Sequence, residues 1–304
     1  MGEQSQIQYL TNEQINKNEW DACIDSALNG LVYAYSFYLD SMAKNWDALV
    51  FGDYEAIMPL TWNKKYGFYY LYQPAFTAAL GVFGNSLNEQ LIDDFIKAIP
   101  GKFKLVEILL NSSNISNTAN ELRSNYYLPL NQSYTEINNA YRENHSRNIK
   151  KAFQAGCSVK KNIPVDDVIN INRAQMKDDS ILKDCDYINF KKLFNQLQER
   201  NQAETYSIVN ESSSVLASCV FFYSHNRAYY ILVGNTAEGK ATGASHALID
   251  AFIKENACKD LILDFEGSDI TNLAMFYKGF GAIEEKYRFL KINRLPFYLK
   301  WLKQ

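Results

Sequence analysis

Twice along this chain a run of hairpin-linked strands gives way to an amphipathic helix and then to one more strand. That order restricts the fold more than any other feature. In the first half, strands are expected at residues 46–51, 55–62 and 68–72, with Gly52-Asp53 turning the first hairpin. Helices at 13–28 and 37–44 precede them, an amphipathic helix at 87–99 ends at Pro100-Gly101, and a strand follows at 104–110. The second half repeats the rhythm. Helices are expected at 134–155, stopped by Gly156, and at 165–177 and 187–200. Strands follow at 204–209, 215–223 and 228–233, then a helix at 244–255, a strand at 260–265, a short helix and a last strand at 287–292. A strand reached through a helix lies parallel to the strand before it, because only a crossover connection has the length to return the chain. The chain is therefore expected to be α/β, with two similar domains at 1–132 and 133–292, each a mixed, mostly antiparallel sheet flanked by helices.

Residues that carry chemistry collect at one end of the second sheet. The apolar run Leu261-Ile262-Leu263 enters Asp264 and Glu266 beside Gly267, and Phe276-Tyr277-Lys278-Gly279-Phe280-Gly281 closes the segment. Ligands of open α/β sheets bind beyond the carboxyl ends of strands, so acids there point to a site. On a regular strand Asp264 and Glu266 share a face, and either would serve as a general base. The alternative is that Asp264 caps the following turn while Glu266 is solvated. Residues 238–245 lead into a helix, where Lys240, Gly243, Ala244 and Ser245 would offer a charge and open N–H groups to a phosphate. The plainer reading is a solvent loop with Ser245 as the N-cap. Arg142, His145, Arg147, Lys150 and Lys151 share one helix whose apolar stripe is Ile149, Ala152 and Phe153. Its charges should face outward, either toward a phosphate backbone or only toward water.

Composition narrows the partners. The net charge of −3 gives no global field for nucleic acid, so an anionic partner needs a local basic patch. Five scattered cysteines and three separated histidines suggest neither a disulfide framework nor a metal site. No apolar run is long enough to span a membrane and the N-terminus is polar, so a cytoplasmic setting is expected. The tail after Glu285 has no acid and carries Lys286, Arg288, Lys291, Arg294, Lys300 and Lys303 among apolar residues. It would rest on an anionic bilayer or pack against protein.

Three motifs carry a family resemblance. The helix His145–Ala152 followed by Ala155-Gly156-Cys157-Ser158-Val159, the strand end Asp264-Phe265-Glu266-Gly267-Ser268, and the Phe276–Gly281 closure together resemble the Fem family. These are peptidoglycan bridge-forming aminoacyltransferases with tandem domains of the GNAT acyltransferase superfamily. Ala56-Ile57-Met58-Pro59-Leu60 and Gln73-Pro74-Ala75-Phe76 are similar in pattern in the first half. The resemblance implies an N-acyl- or aminoacyltransferase acting on a primary amine, such as one carried by a cell-wall precursor, with acyl-coenzyme A or aminoacyl-tRNA as donor. It implies that strands part near Val233, Gly234 and Asn235, whose N–H groups would polarise the donor carbonyl. It further implies that Tyr277 donates a proton to the leaving group, that Arg147, Lys150, Lys151 and Lys278 meet the substrate, and that no metal is needed. The tail 293–304 is expected to fold onto the first domain and bury Phe297 and Trp301. Lys240 and Ser245 depart from the usual coenzyme A loop, Q/R-x-x-G-x-G/A, which leaves open a binding protein that keeps the fold without catalysis.

Overall fold

The computed structural model describes residues 6–119, 121–176, 182–267, 269–297 and 299. Ser268, Lys300, Trp301 and Lys303, and residue 177 at the end of the helix expected over 165–177, lie outside the described residues. The chain divides into two compact units, 1–123 with 286–304, and 124–285.

The first unit opens with β1 (Ile7–Leu10), α1 (Lys17–Ser26) and α2 (Ser36–Met42), followed by β2 (Trp46–Phe51), β3 (Ala56–Lys65) and β4 (Phe68–Leu71). After β5 (Phe83–Gly84), α3 (Glu89–Ala98) carries the chain to β6 (Phe103–Leu109). β6 lies parallel to β4, as the intervening helix requires. Asn88 starts α3 by accepting from the Leu91 N–H, and Ile92, Phe95 and Ile96 turn its apolar face inward. Trp20 of α1 is fully buried; its indole N–H donates to the Ala34 carbonyl at 2.7 Å and its ring tilts against Trp46.

The second unit contains β7 (Glu121–Pro129), α4 (Tyr134–Asn139), α5 (Glu143–Gln154), β8 (Ser158–Lys161), α6 (Val165–Met176) and α7 (Asp184–Glu199). β9 (Ala203–Val209), β10 (Val215–Ser224) and β11 (Arg227–Asn235) form the meander. α8 (Ala237–Thr242), α9 (Ala244–Asn256), β12 (Ile262–Asp264) and α10 (Thr271–Lys278) follow. The strand order is β7-β12-β11-β10-β9-β8, with β11 and β12 parallel and the other neighbours antiparallel. One face of the sheet buries Tyr206, Phe221, Tyr230 and Phe252 in a single aromatic cluster, with Phe221 and Phe252 stacked at 3.8 Å. On the other face Phe222 stacks on Phe190 of α7. The last strand, β13 (Ile283–Asn293), pairs antiparallel with β6 over Phe289–Asn293. In the segment beyond it Leu295 is buried, whereas Phe297, expected to be buried, is 86% exposed.

The continuous helix expected over 134–155 is broken at Ala140–Arg142 into α4 and α5. The break turns Tyr141 into the core, where its hydroxyl and that of Tyr134 both donate to Asp250 of α9, at 3.1 and 2.9 Å. The same break lets α5 present His145 inward. His145 is 2% exposed, not a surface residue as its basic neighbours suggested. Its imidazole meets the Phe276 carbonyl at 2.9 Å, tying α5 to α10.

Gly279 makes that contact possible. Its φ of −68° is ordinary, but a Cβ there would lie 2.0 Å from the His145 ring. Gly279→Ala is expected to destabilise the protein by about 1–3 kcal/mol through overpacking. His145→Ala in the same chain should recover part of that loss; urea unfolding of the two single variants and the double variant checks the coupling.

Candidate active site

β11 and β12 pair only at Arg227–Ile262, Ala228–Leu263 and Tyr229–Asp264. Beyond that point β11 runs on to Asn235, while the chain leaves β12 and the Phe265 N–H bonds to Tyr126 instead. A bulge bends β11 within this stretch. Ile231 faces Val220 and Val233 faces Cys219, leaving Leu232 as the extra residue with a φ of +49°. A bulged strand bends and twists away from its neighbour, so the gap follows from local backbone geometry. A left-handed leucine costs about 1–2 kcal/mol and is retained only where its surroundings hold it.

The vertex of the gap is pinned by charge. Asp264 Oδ2 accepts from Arg227 at 2.5 Å, and its Oδ1 accepts from the Glu266 N–H at 2.8 Å. Asp264 therefore takes the turn-capping arrangement. Glu266 lies past the strand end with a φ of +60°, so the two acids do not share a strand face.

The gap opens into a cavity of about 350 Å³. Tyr230, Val233 and Asn235 line it from β11, and Leu273, Phe276 and Tyr277 from α10. Gly239, Lys240, Gly243, Ser245 and His246 line it from α8 and α9, and Gln175 from α6. Residues 238–245 are not a loop. Thr236 caps α8 by accepting from the Gly239 N–H at 2.9 Å, and Gly243 ends α8 and begins α9. Gly243 has a φ of +84°, and a Cβ there would lie 2.6 Å from the Asn148 carbonyl oxygen of α5, so only glycine fits. Ser245 thus sits inside the first turn of α9 instead of capping it. The Ala244 and Ser245 N–H groups make no hydrogen bond among the described residues. Lys240 and Ser245 contribute polar lining to the cavity, and Val233, Leu273, Phe276 and Tyr277 contribute aliphatic and aromatic lining.

The other residues expected at the site are spread more widely. Gly234 pairs with Ser218 of β10, and its missing side chain admits α6, since a Cβ would be 2.8 Å from the Asn172 nitrogen. Lys151 donates to the Ala241 carbonyl at 2.7 Å, closing the end of α8. Lys278 pairs with Glu284 at 2.7 Å and lies over the Tyr126 ring. Arg147 and Lys150 are exposed on α5, Arg147 only 3.9 Å from Glu143. None of these four cations lines the cavity, and neither do Asp264 and Glu266.

Tyr277 stacks on Phe265 at 4.4 Å, and its hydroxyl has no hydrogen-bond partner among the described residues. Burial pushes its phenol above the usual range, and the carboxylates of Glu266 and Asp264 add to the rise. His246, which sequence reasoning missed, lies edge-on to His145 at 4.8 Å and to Phe276 at 4.9 Å. Burial, then its neighbour His145, push its imidazole down to about 4. Burial lowers His145 in the same direction. Both rings are therefore neutral near pH 7. No spacing rule links these histidines, because they come from different helices far apart in the chain. Gln175 was missed for the same reason. Among the described residues no group of three or more His, Cys, Asp or Glu is placed to hold a metal ion, and no helix is long and apolar enough to cross a membrane.

Neither a family model nor a curated protein matches this chain. Solved structures do. FemX aligns with a TM-score of 0.62 at 12% identity, covering 97% of this chain and 99% of FemX. A conserved protein of unknown function from Bacteroides thetaiotaomicron gives 0.57 at 11% identity, covering 93% and 99%. The C-terminal domain of an Agrobacterium fabrum protein assigned as a lysylphosphatidylglycerol synthetase gives 0.53 at 7%, covering 92% of each. At such identities the likeness establishes the fold alone: the chain is folded like FemX, as its motifs led one to expect.

Arg227→Met would leave the Asp264 carboxylate buried without its cation and is expected to cost about 3 kcal/mol, with Asp264→Asn in the same chain restoring part, as read by chemical denaturation. The histidines predict a pH effect of definite sign. Between about 4 and the ordinary value of 6.5 the unfolded chain takes up a proton that folded His246 does not. Stability therefore rises with pH across that window and the contribution is flat below it. His246→Leu should flatten the slope of unfolding midpoint against pH relative to the unsubstituted protein.

Proposed function

We propose that the second unit is an N-acyl- or aminoacyltransferase that passes an activated acyl group to a primary amine in the gap between β11 and β12. The observation that carries this reading is the parting of those strands after the Tyr229–Asp264 pair, beyond which Tyr230, Val233 and Asn235 of β11 line a cavity. An acyl-transfer site needs a polarising donor for the carbonyl, an apolar wall for the acyl chain and a hold on the carrier. The β11 edge, the Leu273–Phe276–Tyr277 wall and the Lys240–Ser245 end supply these in order.

The donor carbonyl would point at the Asn235 N–H, on the edge of β11 turned away from β10. The attacking amine adds to that carbonyl carbon, and a negative oxygen develops beside the same N–H. Collapse re-forms the carbonyl and breaks the bond to the carrier sulfur or oxygen, which takes a proton from Tyr277. The amine's proton passes through water to Glu266, which already acts electrostatically on Tyr277, and returns through water to the Tyr277 phenolate, so both groups are reset. Asp264, committed to Arg227, holds the vertex instead. A carrier phosphate would meet Lys240 and the Ala244 and Ser245 N–H groups. This chemistry suits both donor classes, an acyl-coenzyme A thioester and an aminoacyl-tRNA ester. The resemblance to the Fem family favours an amine on a peptidoglycan precursor as acceptor, and Arg147 and Lys150, exposed on α5, are available to a tRNA backbone or another polyanion.

The test is a transfer assay pairing acyl-coenzyme A and aminoacyl-tRNA donors with amine-bearing peptidoglycan precursors and aminolipids. Tyr277→Phe and Glu266→Gln should each lower kcat by about 100-fold with the productive pair. Lys240→Ala should raise the donor KM several-fold while leaving kcat nearly unchanged. Donor binding in calorimetry without turnover on any acceptor would point instead to a fold retained for binding alone.

A further inference from the structure

The open edge of β11 is closed by the side chains of a helix. The Thr236 N–H donates to the Leu216 carbonyl of β10, so Thr236 and Gly234 turn their backbone groups toward β10, and Val233 and Asn235 turn theirs away. On that outward edge a neighbouring strand would give one donor to the Val233 carbonyl and one acceptor to the Asn235 N–H. Two amides of α6 take its place. Asn172 Nδ2 donates to the Val233 carbonyl at 2.7 Å, and Gln175 Oε1 accepts from the Asn235 N–H at 2.6 Å. Residues three apart share a helix face, so one helix reaches both groups.

The two amides are held very differently. Asn172 is buried, and its Oδ1 accepts a second bond from the Tyr187 hydroxyl at 2.8 Å. Gln175 is exposed, lines the cavity, and makes one side-chain bond among the described residues. Its amide carbonyl sits where the carbonyl of an activated acyl group would have to bind.

We propose that Gln175 is a displaceable carbonyl mimic: it satisfies the Asn235 N–H when the gap is empty and swings out when a donor carbonyl takes that N–H. Asn172 is the fixed half of the pair and keeps β11 in place while the exchange occurs. This rests on the acyltransferase reading of the cavity. Gln175 is a positioning residue, since it acts through the Asn235 N–H and touches no reacting atom. Displacement exchanges one neutral hydrogen bond for another, so the cap tunes donor affinity and does not block it.

Two measurements test the proposal with the full chain and its Gln175→Ala and Gln175→Glu variants. Amide hydrogen exchange followed by NMR should show Asn235 exchanging about tenfold faster in Gln175→Ala, with Val233 and Gly234 unchanged. Calorimetry with acetyl-coenzyme A and, separately, an aminoacyl-adenosine ester distinguishes the two donor classes. The donor that binds should bind Gln175→Ala about two- to tenfold more tightly and Gln175→Glu more weakly by a similar factor, because a carboxylate accepts more strongly than an amide. A residue with only a structural role would weaken binding in both variants, and that result overturns the proposal. Equal affinity in all three proteins also overturns it while leaving the acyltransferase reading intact. Failure of both probes to bind any of the three overturns that reading and the proposal with it.

Discussion

A strand that loses its neighbour halfway along must find other partners for its backbone. β11 is paired on both sides up to Tyr229 and on one side only from there to Asn235. In a packed interior, unpaired N–H and C=O groups are costly enough that nearly all are satisfied. The bulge at Leu232, the α6 amides on Val233 and Asn235, and the Arg227–Asp264 pair at the vertex all answer that one requirement. They keep the edge open without leaving it bare.

The far wall of the gap depends on packing that involves no strand. α10 carries Leu273, Phe276 and Tyr277 into the cavity, and its position is set by His145 reaching the Phe276 carbonyl across a glycine. The break between α4 and α5 turns His145 and Tyr141 inward and gives Asp250 its two hydroxyl partners. Two neutral imidazoles therefore stand at this wall, His246 lining the cavity and His145 packed edge-on against it.

Much of the architecture was legible from periodicity. Trp46–Phe51 was located to the residue, and both helical crossovers forced the parallel pairs β4–β6 and β11–β12. Short or edge strands were not legible: β1 and β7 are brief or polar alternations whose meaning depends on a partner remote in sequence. At the site, Lys240, Gly243 and Ser245 were marked by the local signature of a glycine-containing helix entry, and Val233, Asn235 and Tyr277 only by the family resemblance; all six line one cavity. The acids were legible as a motif but not as a geometry. A period-two argument assumed that the strand continued through Glu266, whereas the left-handed turn at that residue ends it.

The sequence by itself determined the order of elements, the parallel crossovers and the cluster of polar residues at one sheet end. These rest on local propensity, side-chain period and chain connectivity, all of which act over a few residues. Only the tertiary structure decided that Asp264 belongs to Arg227, that His145 and His246 face each other in the interior, and that Gln175 stands on the Asn235 N–H. Those assignments join residues from separate elements, and their energies come from burial and from satisfying buried polar groups. Neither quantity exists until the chain has folded around them.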